Sequence, residues 1–458
     1  MTTDHQFRSK VTLAPLVALI FFSVSGGAYG LEPLLSSSGP GIAMILLLVT
    51  PLVYSLPVAL FTAELSTALP QEGGVYQWVK QGLGSFWGFQ EGALFWITSW
   101  VDMAVYPVMF ADYLARLFGA AEDGATPLFD LGPIHLDLHW LLGVLCVVLP
   151  LTLLNIRGAR AVGDSALFFI VVAVVPFAIL AAWGIPQLFS HHINPVTPLS
   201  APDTSVWGSF AAGLWIVMWN YCGFDSISTV AEEIHNPRKT IPRALFISIG
   251  LIVLAYVIPV LGALAAGGWE SWDDGSFVDV GQALGGSWLG WLITIGGMAS
   301  AIGFYSSLLM SNSRIPFILA EDGWVPRVLV RRHRRWGTPV VSIVLCSVIY
   351  AIFSMSSFQN LVVVDVFLTN ITLLLELAAL IALRRKAPGL PRPFRIPGGW
   401  AGITLMSVPL VAVILFATVE QFRDEGMTAV WWTVGTVGLA LAAYPLAKRH
   451  RETSLIAR

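Results

Sequence analysis

The chain has 458 residues, of which 56% are hydrophobic and 12% charged, with a net charge of −3 and a mean hydropathy of +0.75. Soluble domains carry roughly twice that charge, so a soluble enzyme is excluded and no nucleic-acid partner is expected. A helix needs about 20 apolar residues to cross a hydrocarbon core of roughly 30 Å. About twelve such stretches follow one another, near 11–38, 42–66, 88–117, 139–156, 164–184, 206–232, 241–266, 287–313, 338–355, 360–383, 401–420 and 429–447. Little chain is left for anything else, so the whole of 1–458 reads as one all-α integral membrane domain.

The first stretch does not read as a cleaved signal. It lacks a small-residue cleavage site, and Pro15, Gly26, Gly27, Gly30 and Glu32 interrupt it. Cys146, Cys222 and Cys346 all fall in apolar stretches, so no structural disulfide is expected. With the N-terminus in the cytoplasm and twelve crossings, the inside receives Arg8, Lys10, Lys80, Arg157 and Arg160. It also receives Arg238, Lys239, Arg243, the basic clusters of 314–335 and 384–395, and the basic C-terminal tail that ends at Arg458. Only Arg116 and Arg423 of the 25 Lys and Arg fall outside, as the positive-inside rule requires. The outer loops are acidic (Glu122, Asp123, Asp130, Asp137, Asp203, Glu270, Asp273, Asp274 and Asp279). That follows from the exclusion of bases there, and it would also concentrate cations.

Stretch 1 carries Ser25-Gly26-Gly27-Ala28-Tyr29-Gly30 at mid-length, and stretch 6 carries Asn220-Tyr221-Cys222-Gly223-Phe224-Asp225. Glycine weakens a helix by about 1 kcal/mol relative to alanine, and unpaired backbone inside a membrane is tolerated only where it lines a cavity. Two matched breaks, each opening one five-helix half, point to an inverted-repeat transporter and to its binding site. Half-helix N-termini there suit an anion, and freed carbonyls suit an ammonium. A glycine-mediated close helix crossing is the alternative reading of either break alone.

Acids inside apolar stretches are functional candidates. Glu32 follows the first break and faces a vestibule or caps the outer half-helix. Asp102 sits mid-way along stretch 3, with Tyr106 one turn on. It reads as a counter-ion for a substrate ammonium or as a proton carrier. Asp225 opens the second half of stretch 6, where Asp is a favoured N-cap. Glu232, Glu233 and Arg238 lie at the inner end and are gate candidates. Glu376 lies two turns from Arg384 and Arg385 and reads as a structural, paired carboxylate. Trp96, Trp100, Trp215, Trp219 and Tyr221 cluster around these acids in sequence, and aromatic faces suit an alkylammonium. No phosphate-binding G-x-x-x-x-G-K-[ST] is present. His135 and His139 lie in a Gly/Pro loop without a metal-binding helix motif, so no metal site is expected.

Several longer motifs resemble one family. Pro70-Gln71-Glu72-Gly73-Gly74-Val75-Tyr76-Gln77-Trp78 is similar to the P-x-x-G-G-x-Y-x-W signature of the amino acid–polyamine–organocation transporters. Gly223-Phe224, Glu232-Glu233, Asn236 to Ala244 and Asn155-Ile156-Arg157-Gly158 match further parts. Ser25-Gly26-Gly27, Glu64 to Ala68, Gly84 to Gln90, Asp102 with Tyr106-Pro107, Asp225 to Thr229 and Arg392 to Pro397 look like its plant-type polyamine and amino acid uptake branch. The resemblance implies a LeuT-type fold of five plus five inverted repeats (about 11–184 and 206–384) with broken helices 1 and 6 and two extra helices (about 401–447). It also implies alternating access and a site drawn from Ser25, Gly26, Gly27, Asp102, Tyr106, Trp219, Tyr221, Cys222, Gly223 and Asp225. Ser25 to Gly27 would hold a substrate carboxylate, and carbonyls of both breaks the amine. Where some proton-coupled members carry a lysine in helix 5, this chain has Val174 nearby. Protons, expected ahead of sodium as the coupling ion, would then be carried by Asp102, Glu32 or Asp225. No cofactor is expected, and residues 117–138 hold no cysteine for a disulfide-linked subunit. The expected role is uptake of amino acids or polyamines, cationic ones first, in a plasma membrane, a bacterial inner membrane ahead of others. A neutral amino acid permease or exchanger, and a sensor that does not transport, are the alternatives.

Overall fold

The computed structural model describes residues 10–118, 127–131, 134–355, 359–424 and 427–456. Arg8, Glu122, Asp123 and Arg458 lie outside the described residues.

Helix α1 (Leu13–Val24) is apolar all round and packs inside the bundle. It stops at Ser25 because Gly26 and Gly27 turn the backbone to φ +63° and +108°. Helix α2 (Glu32–Thr50) begins with Glu32 and Pro33, both suited to a first turn. Gly39, at φ +76° and ψ 157°, breaks it again just before Pro40, so Glu32–Ser38 completes the first interrupted helix. The remainder passes through a π turn at Pro51–Ser55 into α3 (Leu56–Ala68). A short α4 (Gly74–Leu83) leads into the 33-residue α5 (Ser85–Leu117).

A two-stranded antiparallel hairpin, β1 (Pro127–Leu131) and β2 (Ile134–Asp137), interrupts the helical pattern. The Asp137 carboxylate then accepts from the Trp140 N–H at 2.7 Å and caps α6 (Leu138–Gly143). This helix runs through a second π turn into α7 (Leu149–Ile156). Next come α8 (Ala159–Ser190) and α9 (Val206–Asn220). The second break follows α9 and resumes as a 3-10 turn at Ser226–Glu233. Beyond it lie α10 (Pro237–Ala263), α11 (Ser276–Gly285), α12 (Ser287–Asn312) and α13 (Arg314–Glu321). The chain ends with α14 (Val340–Phe353), α15 (Gln359–Lys386), α16 (Gly399–Asp424) and α17 (Met427–Ile456).

Among the described residues, eight helical segments are long and apolar enough to cross a membrane; α1 and α14 are apolar but shorter. Large apolar side chains such as Leu52, Leu153, Phe168 and Leu405 lie on the outside. A water-facing surface rarely carries so many, so this exterior suits lipid. Hydropathy alone did not reveal α4, α11 or α13, which are too short to span, nor the hairpin. The interior helix α12 packs against α1, α5 and α8, and these four surround the breaks. The two interrupted helices also meet end to end. Val11 N–H donates to the Glu233 carbonyl, and His235 N–H donates to the Val11 carbonyl, each at 2.9 Å.

Candidate functional site

The two breaks touch backbone to backbone. Gly223 has φ +99°, and a Cβ there would lie 2.3 Å from the Ser23 carbonyl oxygen. Gly26 is equally constrained, since a Cβ would lie 2.1 Å from the Phe304 ring. Only glycine satisfies both the left-handed backbone and the close approach. The close-crossing reading and the broken-helix reading therefore both describe these segments. Several freed backbone groups already have partners. Tyr256 Oη donates to the Asn220 carbonyl at 2.7 Å, and Ser55 Oγ to the Tyr221 carbonyl at 3.1 Å. Gly27 N–H donates to Ser25 Oγ at 3.1 Å.

Beside the breaks lies a cavity of about 370 Å³. Its polar wall comes from α5 (Asp102, Tyr106), the second break (Asn220, Asp225), α12 (Asn312) and α15 (Asp365). Tyr29, Phe95, Tyr113, Trp219 and Phe304 supply aromatic surface. Helical spacing put Tyr106 one turn beyond Asp102, and its hydroxyl donates to Asp102 Oδ1 at 2.8 Å. The Tyr106 ring stacks on Phe304 with centroids 4.7 Å apart. Toward one end the wall includes Asp112, Arg116 and Asp274. Arg116 donates to the Gly275 and Asp274 carbonyls at 3.2 and 3.1 Å.

The structure brings Asp102, Tyr106, Trp219, Cys222, Gly223 and Asp225 onto this wall. Ser25, Gly26 and Gly27 lie off it, with Gly26 against Phe304 and Ser300. Tyr221 also lies off it, because its hydroxyl reaches back to the Leu47 carbonyl at 2.9 Å. Of the other aromatics, Trp215 lines the wall, whereas Trp96 and Trp100 pack on each other at 5.3 Å. Glu32 is fully buried. It accepts from the Gly30 N–H at 2.9 Å and from the Gly275 and Phe277 N–H groups at 3.2 and 3.4 Å. It makes no cap of its own half-helix; instead it holds the turn before it at Gly30 and accepts from amides at the start of α11, tying the two together.

Two readings of acids need correction. Asp225 makes no side-chain cap, and its Oδ1 is buried without a donor among the described residues. Among the described residues Glu376 pairs with no base. It is fully buried, within hydrogen-bonding reach of Asp225 and of Glu91. Arg384 instead holds Glu64, and Arg385 lies over the Trp400 ring. The helix turns α15 so that positions 376 and 384 serve different neighbours, which the eight-residue spacing could not show. Asp365 went unremarked in the sequence, although a lone aspartate in the Leu361–Leu368 apolar run is the same signal that marked Asp102.

Beyond Asn312 the chain closes with charge. Arg314 is fully buried; its Nε and one terminal nitrogen donate to Glu233 Oε1 at 2.8 and 2.5 Å, and Glu72 Oε1 lies 3.5 Å from Nε. Glu232 accepts from the Glu72 N–H at 3.3 Å. Arg238, the expected base of this cluster, is exposed, and Arg314 takes the inner place. Lys80 and Tyr76 both engage Asp322, and Trp324 Nε1 donates to Tyr76 Oη at 2.9 Å.

A lipid-suited exterior around a largely apolar cavity that carries buried carboxylates beside broken helices fits a multi-pass membrane transporter rather than an enzyme. The chain belongs to the amino acid permease family, whose model, described as "Amino acid permease", matches residues 14–439. It is 34% identical over 435 residues to the polyamine transporter RMV1 of Arabidopsis thaliana, covering 94% of this chain and 84% of that one. It is 37% identical over 426 residues to the polyamine transporter PUT1 of Oryza sativa subsp. japonica, covering 92% and 76%. It is 23% identical over 404 residues to the serine/threonine exchanger SteT of Bacillus subtilis (strain 168), covering 86% and 88%.

Proposed function

We propose that this chain carries polyamines, and cationic amines generally, into the cell by proton-coupled symport. The carrying observation is the distribution of charge around the breaks. Asp102, Asp225 and Asp365 all face the cavity, and Arg116, the base on the described wall, is bound to backbone carbonyls. Just before the outer half-helix, the buried Glu32 carboxylate already takes the Gly30 N–H, and a second carboxylate brought beside it by a substrate would be repelled, which favours an amine without one. The Asn220 and Tyr221 carbonyls are engaged as well, which leaves the ammonium to the three aspartates and the aromatic faces. The plant relatives named as polyamine transporters support the same choice.

Alternating access needs a site reached from one side and sealed from the other. The Arg314 cluster past Asn312 is the candidate seal, with Glu233 and Glu72 in it. Twelve crossings in a LeuT-type arrangement fit the matched breaks and the short helices α4 and α11, which precede the third helix of each proposed half. Repeats at about 11–184 and 206–384 are followed by α16 and α17. Both termini then lie in the cytoplasm, by the sorting of basic residues. Relatives come from plants and from a Bacillus, so compact loops give no reason to prefer a bacterial inner membrane over another plasma membrane. Exchange of neutral amino acids is the second reading, favoured by the serine/threonine exchanger among the relatives.

The test is uptake into proteoliposomes under an imposed inward proton gradient, with labelled putrescine, arginine and leucine. Gradient-dependent putrescine uptake without a sodium requirement is expected, with leucine at background. Leucine uptake alone would overturn the cationic site and return weight to Ser25–Gly27. Absence of any flux would favour a sensor.

A further inference from the structure

We propose that Glu91 and Glu376 hold the coupling proton at a site of their own, behind the amine-binding wall of Asp102 and Asp365, with Asp225 as the link between the two. The proposal rests on the proton-coupled reading above and assigns the proton to residues outside the substrate wall.

Glu91 on α5 and Glu376 on α15 are both fully buried. None of their four carboxyl oxygens has a donor among the described residues. Glu376 lies within hydrogen-bonding reach of Glu91 on one side and Asp225 on the other. A bare carboxylate only accepts, so contacts between carboxyls become hydrogen bonds only when protons are present. Two bare carboxylates about 4 Å apart would repel by ~4 kcal/mol at an effective dielectric of 20.

The bases on neighbouring elements are committed elsewhere. On α4, Lys80 and Tyr76 serve Asp322. Arg384, further along α15, and Arg392 hold Glu64 of α3. Tyr54, on the π turn after α2, donates to Asn370 at 3.2 Å. Tyr444 of α17 packs on Phe86 and Phe89. Asp225 shares the cavity lining with Cys222, Asp365 and Asp102. Among the described residues no group of three acids, histidines or cysteines is placed to hold a metal ion.

The cluster has a route to the cavity. Asp225 is on the wall, as are Thr372, one turn from Glu376, and Phe95, one turn from Glu91. An ammonium arriving at Asp102 and Asp365 favours the ionised form of Asp225. The proton then moves from the Asp225 carboxyl to the Glu376 carboxylate, leaving an Asp225 carboxylate and a Glu376 carboxyl; Glu91 keeps its own proton throughout, donating to the Glu376 carboxylate before the transfer and accepting from the Glu376 O–H through its carbonyl oxygen after it. Asp225 sits in the break of the sixth helix and Glu376 on α15, so the transfer changes the bond that joins a hinge to a neighbouring helix.

The test compares Glu376→Gln, Glu91→Gln and Asp102→Asn in proteoliposomes. Two rates are read: putrescine accumulation driven by an inward proton gradient, and putrescine counterflow with no gradient. The expected result for both glutamine variants is at least a tenfold loss of gradient-driven accumulation with counterflow retained, whereas Asp102→Asn loses both. Retained counterflow also shows that the variants are folded. If the wild type accumulates putrescine on the gradient and both glutamine variants still do, the assignment falls while proton coupling stands. If both variants lose counterflow together with accumulation, a separate proton site is likewise refuted. If the wild type ignores the gradient, the proton-coupled reading falls and takes this assignment with it.

Discussion

In two clusters away from the cavity wall, buried acids lie against bases: Glu64 with Arg384 and Arg392, and Glu233 with Arg314, whose Nε is also 3.5 Å from Glu72. Around the cavity the pattern reverses, and Asp225 and Asp365 each keep a buried oxygen without a donor. An ion pair taken out of water holds together when both partners are present, and removing one strands a charge. The paired carboxylates therefore depend on their bases for stability. On the reading proposed above, Asp102, Asp225 and Asp365 would instead meet a substrate ammonium. The same residue types thus have different partners in the two regions.

Three substitutions break or sharpen this contrast. Arg314→Ala should have the largest effect, stranding Glu233 and Glu72 and costing about 3–5 kcal/mol. Thermal unfolding of the purified protein in detergent should show it, and an unchanged midpoint would mean that the cluster does not hold the closed end. Asp102→Asn removes a charge that pairs with no base among the described residues. Stability should therefore change little, while putrescine affinity falls roughly 30–150-fold, as for loss of a charged contact of about 2–3 kcal/mol. Equilibrium binding of labelled putrescine measures this, and wild-type affinity would take Asp102 out of the site. Tyr106→Phe should be the mildest. It deletes one donor to Asp102 and leaves the ring on Phe304, so a change of about 1 kcal/mol, or roughly fivefold in affinity, is expected. A fiftyfold loss in the same binding assay would show that the hydroxyl touches the substrate.

The amino-acid sequence by itself determined that this is a many-helix membrane protein. Apolar length and the scarcity of charge are local properties of the chain. It also located both breaks, because glycines cluster with polar residues at the middle of two apolar stretches at matched positions, and it marked Asp102 and Tyr106 as neighbours, because helical spacing is fixed. Relations across the bundle were not legible. Spacing along α15 suggested that Glu376 answers Arg384, but rotation about the helix axis sends one to Asp225 and Glu91 and the other to Glu64. Arg238 and Arg314 are equally basic in sequence, yet one is exposed and the other buried at the centre of the cluster. Glu32 looked free to face a vestibule until α11, more than 240 residues later, brought it two backbone amides. Hydrophobicity and turn chemistry act within a few residues, and the chain carries them openly. Which acid meets a base, an amide or another acid depends on how distant helices are packed and turned, and only the tertiary structure decided that.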